Sequence, residues 1–442
     1  MWHKGKVVKP SMFLLGWVRR IRVVGISIAC SMLLAASAWA DVSLIVNTTG
    51  DGVDADLTDG KCEIAPPAPP GTCTLRAAVM QANRFGGSVT ITVPAGAYVL
   101  LGGELNLSTP PSIIFNPVIT ITGAGPALTN IDGNGTYRLL TVDSGRTANI
   151  SNLTLRHGAG TGFGGGVQNH GVLTLSNVVV RDNISFDGCG GGIFNDNQLG
   201  IYSSTITANV TANNNGGGIC NENIPSGVTI VSSTIDHNYA RFGGGLYNAT
   251  VAVMINSTVS GNYASRDGGG IYNGGPINVY NSTIAFNQAD ADVDMIGTGG
   301  GIYNQPEGTF NIIDTVVARN YVSGQPSSYD DCTGAIGMYG NNRYSPSFSN
   351  CPAAAGSPGT ITRLGSRFEL GELRDNGGAT RTHALVPPST MIDGAGACID
   401  SNSNPLTVDQ RGSTRVMIGL GCDIGAFEFN DLVFHDGFDS SF

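Results

Sequence analysis

One block constrains this chain more than any other feature: three glycines, a branched apolar residue, a variable residue and an asparagine. It stands at Gly164–Asn169, Gly190–Asn195, Gly216–Asn221, Gly243–Asn248, Gly268–Asn273 and Gly299–Asn304. The closing asparagines lie 26, 26, 27, 25 and 31 residues apart. Repetition at such a period marks a stacked repeat fold, because one unit cannot bury its apolar row alone. A second block interleaves with the first: an alternating strand, a polar corner, then a branched strand ending in asparagine. Examples are Val228–Ile235 with Asn238, Val253–Val259 with Asn262 and Ile277–Ile284 with Asn287.

The strand pieces are short, and Thr174/Leu175 or Thr229/Ile230 alternate polar with apolar, which puts one side chain out and the next in. Glycine is 64 of 442 residues and charged residues are 13%, a composition of tight turns and short strands rather than helices. Coils of this length, stacked about 4.8 Å apart, pair each strand with its copy in the next coil and line up the asparagines as a ladder. Propeller blades need about 40 residues, and leucine-rich repeats need a different consensus. The pattern predicts an all-β fold, a right-handed, single-stranded parallel β-helix over 88–325. Residues 41–87 form an N-terminal cap, with a helix over 72–85 whose N-cap is Thr74. Residues 326–430 form an irregular C-terminal cap over the other end, and 431–442 a tail.

Residues 1–40 read as a cleaved export signal. Lys4, Lys6, Lys9, Arg19, Arg20 and Arg22 precede the apolar run 23–34, and Ala38-Trp39-Ala40 supplies the cleavage site. Without the leader, 17 basic residues face 33 acidic ones, a net charge of −16 that repels nucleic acid and leaves no transmembrane span. Eight cysteines remain, an even number suited to an oxidising compartment. Cys62–Cys73, Cys332–Cys351 and Cys398–Cys422 are close pairs; Cys189 and Cys220 sit in neighbouring repeats at unlike positions.

Cys73-Thr74-Leu75-Arg76-Ala77-Ala78-Val79-Met80-Gln81-Ala82-Asn83, with the preceding Asn47-Thr48-Thr49-Gly50-Asp51, resembles the CSLREA domain of secreted bacterial proteins. Ala77 departs from it, standing where the family has Glu. The glycine repeats resemble those of polymorphic outer membrane proteins of chlamydiae and other pectin-lyase-like β-helices. Leu373–Gly378 with Asp393-Gly394, then Asp409-Gln410-Arg411-Gly412 and Asp423–Glu428, resemble the choice-of-anchor Q region. The tail Val433–Asp439 is similar to a short ending of many exported gammaproteobacterial proteins. These resemblances imply an exported surface or extracellular protein of the Gram-negative type and no defined activity.

A polysaccharide-cleaving β-helix needs carboxylates at equivalent positions of adjacent coils. Asp182, Asp236 and Asp314 come nearest, but occupy different places in the repeat. Asp330-Asp331 sits beside Cys332, and His157, His170 and His237 do not recur with the period. Asp51, Asp54, Asp56 and Asp59 crowd one loop without the spacing of an EF-hand, and Asp290, Asp292 and Asp294 fall in the insertion that lengthens the last repeat. No catalytic, cofactor-binding or metal residue is assigned; Ca²⁺ is the one ion these loops suggest. Two readings stand: a non-enzymatic surface protein for adhesion or glycan binding, and a polysaccharide lyase or glycoside hydrolase working in a β-helix groove.

Overall fold

A computed structural model describes residues 41–109, 117–223, 225, 227–324, 329–345, 351–365, 369–396, 398–415 and 421–429. The expected leader 1–40 and tail 431–442 lie outside the described residues.

One coil shows how the repeat folds. Gly227–Val231 and Thr234–Asp236 belong to one long sheet, Tyr239–Ala240 to a second and Leu246–Asn248 to a third. The chain bends at Ser232 and His237, both in the left-handed region (φ 50° and 55°), and again at Gly243. Every strand pairs in parallel with its copy in the next coil, so Ile230 sits on Met254 and Leu246 on Ile271. The third sheet runs from Leu105–Leu107 to Cys332–Thr333 through nine strands among the described residues. The fold is thus a right-handed parallel β-helix of about nine turns. The inward column Ile91, Ile121, Ile150, Leu175, Ile201, Ile230, Met254, Val279, Ile312, Met338 is buried throughout. Each such side chain contributes about 1.5–3 kcal/mol by leaving water.

Polar ladders run inside the same core. Asn169, Asn195, Asn221, Asn248, Asn273 and Asn304 pass amide hydrogen bonds from coil to coil at 2.6–2.8 Å. Asn183, Asn209, Asn238, Asn262, Asn287 and Asn320 form a second ladder at 2.8–2.9 Å. Each of these also takes the preceding coil's backbone N–H on its Oδ1, as Asn238 does from Asn209 at 3.0 Å. The glycine block follows from this ladder. A Cβ on the third glycine, such as Gly218 or Gly245, would lie 3.0 Å from the Asn amide behind it. In the coil after the last glycine block, Asp331 takes that glycine's place in the backbone. Its Oδ1 receives the Asn320 amide at 3.0 Å, and Oδ2 the backbone N–H of Ser345 at 2.8 Å. Asp331 therefore ends the ladder.

The pairing extends beyond the expected 88–325 at both ends. Val42–Ile45 already pairs with Val89–Val93, and strands continue through Ile336–Tyr339 and Asn341–Tyr344 to Thr360–Arg363. These outlying strands lack the glycine block, so the repeat pattern does not reveal them. A helix, Leu75–Ala82, has Thr74 as N-cap, accepting from Ala77 N–H at 3.0 Å. Its Arg76 is buried and pairs with Asp51 at 2.9 Å, holding the loop that follows Val99.

The described residues of 369–429 run back along the flank of the solenoid rather than over its end. Arg381, Gln410, His383 and Ala426 bond Thr234, Thr258, Ser260 and Thr283, which belong to three successive coils. We call this segment the wrap. Its motif residues form a buried network: Arg411 on Asp409 (2.8 Å), Arg415 on Glu428 (2.9 Å), and Asp423 N–H on Glu428 (3.0 Å). Burial pushes the Asp423 carboxyl up to about 7. All four cysteine pairs close as disulfides.

Candidate functional site

Inward residues of a β-helix are committed to its core, so a site must use outward columns, one residue per coil. Three such columns carry tyrosines among the described residues: Tyr239, Tyr263 and Tyr321 share one on the second sheet, and the other two differ in what their rings can do.

The first column is Gln168, Phe194, Cys220, Tyr247, Tyr272 and Tyr303. Tyr272 stacks between Tyr247 at 5.2 Å and Tyr303 at 5.0 Å, each at 12°. The rings spend their faces on one another, and burial pushes the Tyr272 hydroxyl up to about 12. This column is structural. It also accounts for the unlike positions of Cys189 and Cys220. The residue before a glycine block can contact this column one coil on: Phe163 meets Phe194 at 4.6 Å and Phe242 meets Tyr272 at 5.2 Å. Cys189–Cys220 makes the same diagonal step.

The second column, on the long sheet, is Tyr202, Val231, Ile255, Tyr280, Ile313 and Tyr339. It spans about 24 Å at about 4.8 Å per coil. Here the tyrosines are two or three coils apart and do not stack on each other. Tyr202 folds over Gly200, where a Cβ would sit 2.7 Å from its ring, and it borders a shallow cleft of about 440 Å³ with Thr174, Gln198 and Thr229. Tyr280 and Tyr339 share a second cleft of about 510 Å³ with Asn278 and Asn311, whose amides bond at 2.9 Å. Loop 399–403 of the wrap forms its wall, anchored by Cys398–Cys422. Hydrogen bonds from the Asn404 side chain and backbone hold the Asp400 carboxyl below its ordinary value. Asp400 therefore stays ionised and offers no proton.

A third cleft, of about 320 Å³, lies where Leu370–Arg374 and Thr382–Leu385 of the wrap meet the solenoid. His237 Nδ1 is 2.8 Å from Oδ2 of the buried Asp236, and that hydrogen bond raises the imidazole above its ordinary value. His383 is buried and held down to about 4 by desolvation, so it is neutral. Its Nδ1 lies 2.7 Å from the Gly371 carbonyl, which can only accept, so the proton is on Nδ1. Nε2 then accepts from Ser260 Oγ at 2.8 Å. An imidazole this acidic is a weak base, so the Ser260–His383 pair fastens the wrap rather than activating a nucleophile.

The acidic residues singled out in the sequence are mostly dispersed. Asp51 is spent on Arg76, and Asp54, Asp56 and Asp59 cap local turns without bringing three ligand atoms within 4.8 Å. Asp182 pairs with Arg181 at 2.6 Å, Asp236 with His237, and Asp314 accepts Asn341 N–H at 2.7 Å; they sit in separate coils. Asp330 accepts Gly299 N–H at 2.8 Å. His157 and His170 lie 3.0 and 2.7 Å from Asp132 and Asp196. Asp290, Asp292 and Asp294 do converge. The tyrosine column and His383 went unread, although Tyr202, Tyr280 and Tyr339 share one place in the repeat and could have been found by aligning coils.

No family model matches the chain, so the CSLREA and choice-of-anchor resemblances gain no support there. No curated protein matches either. Among solved structures, the A-module of the Azotobacter vinelandii mannuronan C-5 epimerase AlgE4 is similar, at 14% identity and a TM-score of 0.29, covering 65% of this chain and 94% of that one. Among the described residues no helix is long and apolar enough to cross a membrane.

Proposed function

We propose that this protein is an exported, non-enzymatic glycan-binding solenoid that holds an extended saccharide along the column Tyr202–Tyr280–Tyr339. The carrying observation is that these three rings share one outward column, are not stacked on one another, and border two clefts on one rigid face. Aromatic rings supply broad apolar contact, and the Asn278–Asn311 amides and Thr174 and Thr229 hydroxyls supply hydrogen bonds. The ionised Asp400 and the acid-rich chain favour a neutral sugar over an acidic one. The leader and the four disulfides support export. Titration calorimetry against neutral and acidic polysaccharides tests this reading. Neutral chains bind, Tyr280→Ala weakens them, and a panel that yields no binding, or binding untouched by Tyr280→Ala, sinks it.

One observation favours the second reading, polysaccharide cleavage: the Asp236-backed, raised His237 faces an open cleft beside Glu372, Tyr263 and Tyr321. Release of reducing ends or unsaturated products, lost in His237→Gln, is its signature.

A further inference from the structure

The last repeat is six residues longer than its 25-residue neighbour, and the extra chain makes the loop between Gln288–Ala289 and Gly299. Asp290, Asp292 and Asp294 alternate along it, and one carboxylate oxygen from each lies within 4.8 Å of the others. Three like charges this close repel one another, and more strongly near a protein surface than in bulk water. Positive charge nearby is thin: Arg266 Nη2 stands 3.7 Å from Asp294 Oδ2, beyond hydrogen-bond length.

Asp290 sharpens the point. It is fully buried, its Oδ1 accepts Met295 N–H at 3.1 Å, and its Oδ2 has no hydrogen-bond partner. A buried carboxylate oxygen left unmatched costs free energy that a native fold seldom leaves uncompensated. The loop is also shaped around this residue. A Cβ on Gly297 would stand 2.8 Å from Asp290 N and 3.0 Å from its Cβ, so only glycine lets the chain close over it.

We infer that this loop is a calcium site, with Asp290, Asp292 and Asp294 as its carboxylate ligands. The donor set is all oxygen, which selects a hard cation over zinc or copper. Asp292 and Asp294 are exposed, so water can complete a wide, irregular shell. Calcium accepts such a shell of 6–8 oxygens, whereas magnesium demands a tight octahedron.

The test is calcium titration of the full chain after chelator stripping, followed by calorimetry, with magnesium as comparator. One saturable calcium site per chain is expected, with a Kd of roughly 10⁻⁴–10⁻³ M, as in extracellular modules. Asp292→Asn with Asp294→Asn weakens it by about tenfold or more through lost ligand charge; both side chains are exposed, so the variant folds, as its circular dichroism will show. Asp56→Asn with Asp59→Asn leaves the site unchanged. Calcium also slows proteolytic nicking within 290–297. Absence of a saturable site, equal affinity in the Asp292/Asp294 variant, or loss in the Asp56/Asp59 variant instead overturns the inference.

Discussion

Arg415 reaches across 159 residues of sequence to Asn256, its Nη2 donating to the amide Oδ1 at 2.8 Å. The same asparagine donates its Nδ2 to the Val408 carbonyl at 2.8 Å. One side chain at a solenoid bend thus fixes two points of the wrap. Arg415→Met removes the cation paired with the buried Glu428. We expect a loss of about 3–5 kcal/mol, read by denaturant unfolding, with partial recovery when Glu428→Gln is added.

Asn238 carries the ladder at mid-solenoid. Asn238→Ala removes the acceptor of the Asn209 amide and backbone N–H, two buried donors. Stability should fall by about 2 kcal/mol or more, while Asn213→Ala at an exposed position should change little. Equal effects in the two variants would show the ladder to be incidental.

The diagonal that hosts Cys189–Cys220 hosts aromatic pairs above and below it. Replacing both cysteines by alanine should cost about 3 kcal/mol, since the bridge closes a 31-residue separation. Cys189→Phe with Cys220→Tyr restores the diagonal contact and should recover part of that loss in the thermal midpoint. No recovery would mean that the step is not interchangeable.

His383 links the wrap to acid stability. Its folded value of about 4 lies below the ordinary 6.5, so between these values the unfolded chain binds more protons. Stability is then lost as pH falls from about 6.5 to 4, by about 3 kcal/mol for this group. The raised Asp423 acts with opposite sign. The contribution is therefore isolated by comparing wild type with His383→Gln, whose pH slope should be flatter over that window.

For the tyrosine column, Tyr202→Ala, Tyr280→Ala and Tyr339→Ala should each weaken a long neutral saccharide by about 1–2 kcal/mol. A short oligomer should feel Tyr280 and Tyr339 without Tyr202, because these share a cleft that Tyr202 does not border. Equal sensitivity of short and long ligands to Tyr202→Ala would remove the track along the column.

The architecture was legible because the fold writes its own period: each Asn of the second ladder has a glycine facing it, so Gly218 and Asn238 recur together. Three disulfides were legible because their cysteines lie close in sequence, whereas the Cys189–Cys220 diagonal became intelligible only through Phe163–Phe194. The strands Val42–Ile45 and Thr360–Arg363 stayed hidden because end coils need no glycine block. The wrap stayed hidden because its contacts, such as Gln410 with Thr258, join residues 152 positions apart and have no period. The sites were the least legible part. Tyr202, Tyr280 and Tyr339 look unremarked one by one, and only coil register puts them in a line.

Asp331 also decides how this ladder can change length. Every asparagine of its ladder hands a hydrogen bond in the same direction, so the row has a giving end and a receiving end. A carboxylate only receives, and it stands at the receiving end. Duplicating a coil anywhere before Asp331 lengthens the row and leaves its terminus chemically intact. Adding a coil after it would present an acceptor with no donor to pass on. The ladder, though not the stacking of strands, can thus lengthen by gene duplication on one side of a single residue and not on the other.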